Sequence, residues 1–133
     1  MAVSGSALAG GRPFQADLAG TNEVPPADVT ATGTVQLWLN PGQGSVCFVL
    51  TASGLSAPAI AAHIHAAPSG VNGSVVVPLS VTADGSGSGC VENVSRDLIG
   101  AIIHDPSAYY VNVHTTAFPG GAIRGQLSRS STH

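Results

Sequence analysis

Apolar and polar residues alternate with a period of two along much of the chain, and this pattern predicts short β-strands. Residues 14–18 form the first such run, and residues 30–39 form a second that places Val35, Leu37 and Leu39 on one side. A third run covers residues 45–52. Because residues 40–44 between them have the composition and length of a tight turn, the second and third runs predict a β-hairpin.

The second half of the chain predicts further strands and one helix. Strand-like runs occupy residues 60–66, 75–79, 90–91, 109–115 and 122–127. Pro78 predicts an edge strand or a strand end, because proline cannot donate to a sheet ladder. The Gly/Ser-rich residues 82–89 predict a loop. A helical stripe of apolar residues predicts one short helix near residues 94–103, with Asn93 or Ser95 as its cap.

Composition indicates an all-β fold. Hydrophobic residues make up 44% of the 133 residues but aromatic residues only 5%, and 17 glycines and 9 prolines interrupt the apolar runs. Many short β-branched runs between turns are typical of an all-β sandwich or barrel. We therefore expect a flexible N-terminal arm over residues 1–12, one β domain over residues 13–128 and a disordered tail over residues 129–133.

Charge and hydropathy argue against two classes of partner. Only 8% of the residues are charged, there is no lysine, and the formal net charge is −3. Nucleic-acid binding needs clustered cations, so no nucleic-acid partner is predicted. No apolar run approaches the roughly 20 residues that a membrane-spanning helix requires.

Cys47 and Cys90 stand far apart and outside any C-x-x-C motif. Each lies in or beside an apolar strand-like run, and we favour a disulfide over two buried thiols. A disulfide closing a loop of about 42 residues would stabilise the fold by roughly 4 kcal/mol. It would also indicate an oxidising compartment, extracellular or periplasmic. Met1–Gly11 has no positively charged leader region, so we expect a signal peptide to have been removed.

The histidines carry the candidate chemistry. His63 and His65 share one face of their predicted strand, about 6.5–7 Å apart. His114 lies on the corresponding face of a later strand, opposite its aliphatic side. The three imidazoles could bind one metal ion, with His104 as an optional fourth ligand. Alternatively, they are polar strand residues that hydrogen-bond across the sheet, and His104 complements a helix dipole.

Three neutral imidazoles favour zinc, copper(II) or nickel(II) over calcium or magnesium, which prefer oxygen ligands. No cysteine stands near these histidines, so a blue-copper thiolate site has no support. No serine lies in a G-x-S-x-G motif. The sequence therefore favours metal chemistry over a serine nucleophile.

Several sequence blocks resemble the CHRD (chordin-type) domain family, in particular its secreted bacterial members. The resemblance spans Phe14 to Leu127. It rests on residues 22–26 (NEVPP), 54–55 (GL), 62–65 (AHIH), 70–73 (GVNG), 109–115 (YYVNVHT) and 118–127 (FPGGAIRGQL). The resemblance implies an extracellular β-rich domain. It does not define a biochemical activity.

A more distant resemblance concerns the copper/zinc superoxide dismutases. His63-Ile64-His65 is similar to their H-x-H copper-binding strand, His114 to a later ligand, and Arg124 to the arginine near their metal. This implies a Greek-key β-sandwich, copper ligation by the three histidines, and Arg124 as an anion guide. The chain has neither a bridging histidine soon after His65 nor a zinc-loop cluster. The expected site is therefore copper-only, with zinc as an alternative occupant.

Three functions follow from these patterns. The first is a secreted copper-binding domain with a mononuclear histidine site that sequesters or delivers copper. The second is a copper-only enzyme similar to superoxide dismutase. The third is a metal-free extracellular interaction module. A homodimer through an exposed β face is compatible with each of them.

Overall fold

A computed structural model describes residues 11–130, which form nine β-strands and one α-helix. The strands are β1 (Arg12–Ala19), β2 (Thr32–Asn40), β3 (Ser45–Ser53), β4 (Ala59–Ala66), β5 (Ser74–Leu79), β6 (Gly87–Val91), β7 (Tyr109–Thr115), β8 (Ile123–Gln126) and β9 (Ser128–Arg129). The helix is α1 (Arg96–His104), and short 3-10 turns cover Gly20–Asn22 and Pro106–Ala108.

The strands form one antiparallel sheet in the order β5-β4-β7-β8-β1-β2-β3-β6, and β9 pairs with β1. The two end strands, β5 and β6, come into contact without ladder pairing, so the sheet is nearly closed. After β4, β5 and β6, the chain returns to place β7 beside β4. The predicted all-β class is confirmed, and the strands make one curled sheet.

Alternation along each strand builds the core. Phe14, Leu37 and Ile64 are fully buried on the inner face, together with residues of the same character from the other strands. Helix α1 adds Ile99 and Ile102 to this core. Its N-cap is Ser95, whose Oγ accepts a hydrogen bond from the Leu98 N–H at 3.4 Å. The predicted β2–β3 hairpin, the edge position of β5 and the single helix are all present.

The structure corrects one predicted loop. Residues 87–89, expected within a Gly/Ser loop, begin strand β6 and pair with β3. Strand β3 offers free backbone groups on this side, and the Cys47–Cys90 disulfide holds the two strands in register. That disulfide was expected from the sequence and is confirmed. Small residues here show no apolar alternation, so the local pattern could not reveal the strand.

Strand pairing extends slightly beyond the expected domain boundaries. Arg12 pairs with Leu39 within β1, and Arg129 pairs with Phe14 through β9. Backbone pairing therefore includes both residues, although the sequence places them in an arm and a tail. The other residues of those two segments lie outside the described range, apart from Gly11 and Ser130. Within residues 11–130, no helix is long and apolar enough to cross a membrane.

Candidate metal centre

Pairing of β4 with β7 brings the three histidines together. In this antiparallel register His63 lies opposite Asn112, and His65 lies opposite Tyr110, while His114 lies opposite Ala61. The alternate residues of both strands, such as Ile64 and Val111, are fully buried in the core. Because successive side chains point to opposite faces, all three imidazoles project from the outer face of the sheet.

The imidazoles form one compact group. One ring nitrogen of each of His63, His65 and His114 lies within 4.8 Å of the others. His63 Nδ1 and His114 Nε2 are 2.9 Å apart. His65 and His114 are buried, with 7% and 8% of their surface exposed, whereas His63 is half-buried. The exposed His104 ends helix α1 and is not a member of this group.

Backbone carbonyls fix the tautomers of two rings. The Nδ1–H of His65 donates to the Gly73 carbonyl at 2.9 Å, and the Nδ1–H of His114 donates to the Pro119 carbonyl at 2.9 Å. A carbonyl oxygen can only accept, so each Nδ1 must carry the proton. The Nε2 of each neutral ring then keeps its lone pair. Such hydrogen bonds from the second ring nitrogen are typical of metal-binding histidines.

The site favours neutral imidazoles. Burial lowers the pKa of His63, and the neighbouring His114 and His65 lower it further. Burial also lowers the pKa of His65 and of His114, although their hydrogen bonds to Gly73 and Pro119 oppose this effect. A neutral ring is the form that can bind a metal, so these lowered pKa values favour the protonation state that a metal site requires.

A buried ion pair between Arg124 and Glu23 lies close to the histidines. Arg124 Nε donates to Glu23 Oε1 at 2.8 Å, and both side chains are 3% exposed. The guanidinium also packs on the Tyr110 ring, with its central carbon 4.1 Å from the ring centroid. Arg124 is therefore near the site but enclosed. The expected role of this residue as an anion guide stays a prediction.

Sequence patterns gave no functional role to Glu23, Tyr110 or Asn112, which surround the histidines. Burial raises the pKa of Glu23, and its contacts with Arg124 oppose that rise. The sequence contains one signal that points to an acidic partner such as Glu23. Arg124 lies within an alternating strand of a chain with few charges, and a buried arginine requires an acidic partner. The contact itself spans 101 positions of sequence, and no local pattern encodes it.

Three buried polar atoms in the described part of the chain have no hydrogen-bond partner: His65 Nε2, Glu23 Oε2 and Asn112 Oδ1. Buried polar atoms are nearly always satisfied in folded proteins. The His65 Nε2 belongs to the three-histidine group and carries a free lone pair. This group could hold a metal ion, since such an ion would satisfy that nitrogen.

Comparison with known proteins supplies one match. The sequence model of the CHRD domain family matches residues 14–127, which is most of the chain. The match includes all three clustered histidines and Arg124. A search of curated proteins found no significant match.

Proposed function

Since this chain belongs to the CHRD domain family, we propose that it is a secreted domain that binds one copper ion through His63, His65 and His114. The observation that carries this proposal is the unpartnered, buried Nε2 of His65 beside two further imidazoles. Its lone pair is oriented by the Gly73 carbonyl, and the His114 lone pair by the Pro119 carbonyl. Three imidazole nitrogens suit copper, zinc or nickel, and they do not suit calcium or magnesium, which prefer oxygen ligands.

The affinity order of divalent metals favours copper over zinc. Copper(II) leads this order at sites built from nitrogen ligands. The distance of 2.9 Å between His63 Nδ1 and His114 Nε2 is that of the hydrogen bond between the two rings in the metal-free protein.

Metal binding through His63 Nδ1 requires one proton to move. Because His114 Nε2 must be the acceptor, His63 donates its Nδ1–H to that nitrogen in the metal-free protein. Ligation through His63 Nδ1 therefore places the proton on Nε2 of the same ring. His63 remains neutral throughout, so this rearrangement opens the hydrogen bond between the two rings without a net change in charge.

The ligands differ in how firmly they are held, and this supports sequestration or delivery of copper. His65 and His114 are buried and anchored to the backbone. His63 is half-buried, and within residues 11–130 the only hydrogen bond of its ring is to His114. Two fixed ligands and one more accessible ligand suit a site that takes up an ion and releases it.

Isothermal titration of the metal-free protein with Cu(II) tests this proposal. We expect one equivalent to bind and electron paramagnetic resonance to show three nitrogen ligands. The double variant His63→Ala, His114→Ala should lose this binding, and His104→Ala is the matched control because it removes an exposed histidine outside the group. Unchanged affinity in the double variant contradicts the proposal. Absence of binding by the wild-type protein favours a metal-free interaction module.

A second function, a copper-dependent enzyme similar to superoxide dismutase, is favoured by one observation. Three protein ligands leave a coordination position free, and open positions are typical of catalytic metal sites. The half-buried His63 supports access to that position. Superoxide consumption by the copper-loaded protein, compared with an equal amount of free copper, tests this function. A rate no greater than that of free copper contradicts it.

The disulfide and the family support an extracellular or periplasmic location. Alkylation of thiols in protein recovered from the culture medium and cell fractions tests this location. Oxidised Cys47 and Cys90 in the exported fraction are the expected result, and retention of reduced protein in the cytoplasm contradicts it.

A further inference from the structure

One ring of the histidine group, His65, belongs to a layered stack of three side chains. The rings of His65 and Tyr110 are parallel within 2°, with centroids 4.8 Å apart. The Arg124 guanidinium packs on the same Tyr110 ring. Strand β7, which carries Tyr110, lies between β4 with His65 and β8 with Arg124, so the imidazole and the guanidinium flank the phenol ring on opposite sides.

Arg124 also binds the loop between β4 and β5, residues 67–73. Its Nη1 donates to the Val71 carbonyl at 3.1 Å, and its Nη2 donates to Asn72 Oδ1. Asn72 in turn donates through Nδ2 to the Val24 carbonyl at 3.0 Å. Together with the ion pair to Glu23, these bonds attach the loop to the segment that follows β1. Arg124 has no hydrogen bond to any of the three histidines.

Gly73, the last residue of this loop, has hydrogen bonds to both His65 and Tyr110. Its carbonyl accepts the Nδ1–H of His65, and its N–H donates to Tyr110 Oη at 3.1 Å. The loop and Tyr110 therefore hold His65 together, and Arg124 contacts both of them. By contrast, His114 is anchored by Pro119, which follows β7 and has no hydrogen bond to Arg124.

From these contacts we infer that Arg124 is a positioning residue that keeps His65 in its metal-binding tautomer through loop 67–73 and the Tyr110 ring. The inference rests on the proposed metal-binding function for its biological meaning. If the loop moves, the Gly73 carbonyl leaves Nδ1, and the proton is free to move to Nε2. That transfer removes the lone pair that a metal requires. Arg124 thereby controls the ligand without touching it.

The test measures the His65 tautomer in metal-free protein by ¹⁵N NMR of the imidazole nitrogens. Asn72→Ala changes an exposed residue and removes the hydrogen bond that Arg124 Nη2 donates to the Asn72 side chain. Arg124→Lys keeps the positive charge beside Glu23 but lacks the planar guanidinium group, which donates several hydrogen bonds in fixed directions. Ser69→Ala is the matched control, because Ser69 is exposed in the same loop and has no hydrogen bond in the described structure. His114 serves as an internal reference.

We expect wild-type protein and Ser69→Ala to show the proton on His65 Nδ1. Asn72→Ala and Arg124→Lys should show a mixture of tautomers at His65 while His114 is unchanged, and their Cu(II) affinity should fall about 10-fold. If Arg124→Lys does not fold, Asn72→Ala decides the outcome.

Two results overturn the inference: a single unchanged His65 tautomer in the folded variants, or an equal change at His65 and His114. The tautomer measurement needs no metal. A shift at His65 in protein that binds no copper would therefore retain the positioning role and reject the proposed metal function.

Discussion

Lowering the pH tests the burial of the three histidines directly, because protons compete with the metal for the same nitrogens. Three independent imidazoles with the ordinary pKa of about 6.5 would each gain a proton between pH 7.5 and pH 5.5. The resulting loss of apparent metal affinity over this range would be about 1,000-fold, or roughly 4 kcal/mol. This value is the reference for an exposed, unperturbed group.

The structure predicts a smaller loss. Burial lowers the pKa of His63, His65 and His114, and mutual repulsion adds to this effect at His63 and His65. A lower pKa means that the rings stay neutral, and able to bind metal, further below pH 6.5. Apparent affinity should therefore remain nearly constant from pH 7.5 to pH 6.5, and its loss by pH 5.5 should be well below 1,000-fold.

The assay is competition for Cu(II) against a chelator of known proton affinity, repeated across this pH range. An NMR titration of the metal-free protein then reports the three pKa values independently. The His104→Ala variant should show the same profile, since His104 lies outside the group. A loss of 1,000-fold or more, with ordinary pKa values by NMR, would refute the enclosed arrangement of the rings.

Three further predictions concern stability. The double variant Cys47→Ala, Cys90→Ala opens a link across 43 positions and should lower the free energy of unfolding by about 4 kcal/mol in urea denaturation; an unchanged midpoint would contradict this. Gly121→Ala should cost about 2–4 kcal/mol, because φ is +128° and the new Cβ would lie 2.6 Å from Glu23 Oε2. Gly120→Ala, with no atom within 4 Å of its Cβ, is the control and should be close to wild type. Finally, metal-free protein should lose stability as the pH falls below 6.5, because the histidines of the unfolded chain then bind protons that the buried histidines of the folded protein do not. The free energy of unfolding should fall by at most about 1.4 kcal/mol per pH unit for each histidine. Glu23 has the opposite effect, because its pKa is raised by burial and its contribution to stability therefore grows as the pH falls. A protein that is more stable at pH 5.5 than at pH 6.5 would contradict the prediction.

The alternation of apolar and polar residues was sufficient to predict most of the strands. Alternation at Val35, Leu37 and Leu39 predicts a strand with a buried face, and all three side chains are 0–2% exposed. Strand β6 could not be predicted in the same way, because Gly87, Ser88 and Gly89 have no apolar side chain to place. Its pairing depends on a neighbour more than 30 positions away, and period-two patterns contain no information about such a partner.

Residue spacing alone predicts which side chains are candidate ligands and the strand face on which each lies. The H-x-H spacing fixes His63 and His65 on one side of β4, and the alternation in β7 fixes His114 opposite the aliphatic residues. These properties are local, because the direction of a side chain in a strand depends only on its own backbone.

The convergence of these side chains depends on the tertiary structure. Convergence of the histidines requires β4 to pair with β7 in one register, and the ion pair of Glu23 with Arg124 joins residues 101 positions apart. The carbonyls of Gly73 and Pro119 then select the tautomers. Register and loop position follow from packing of the whole core, so no short segment of the chain specifies them.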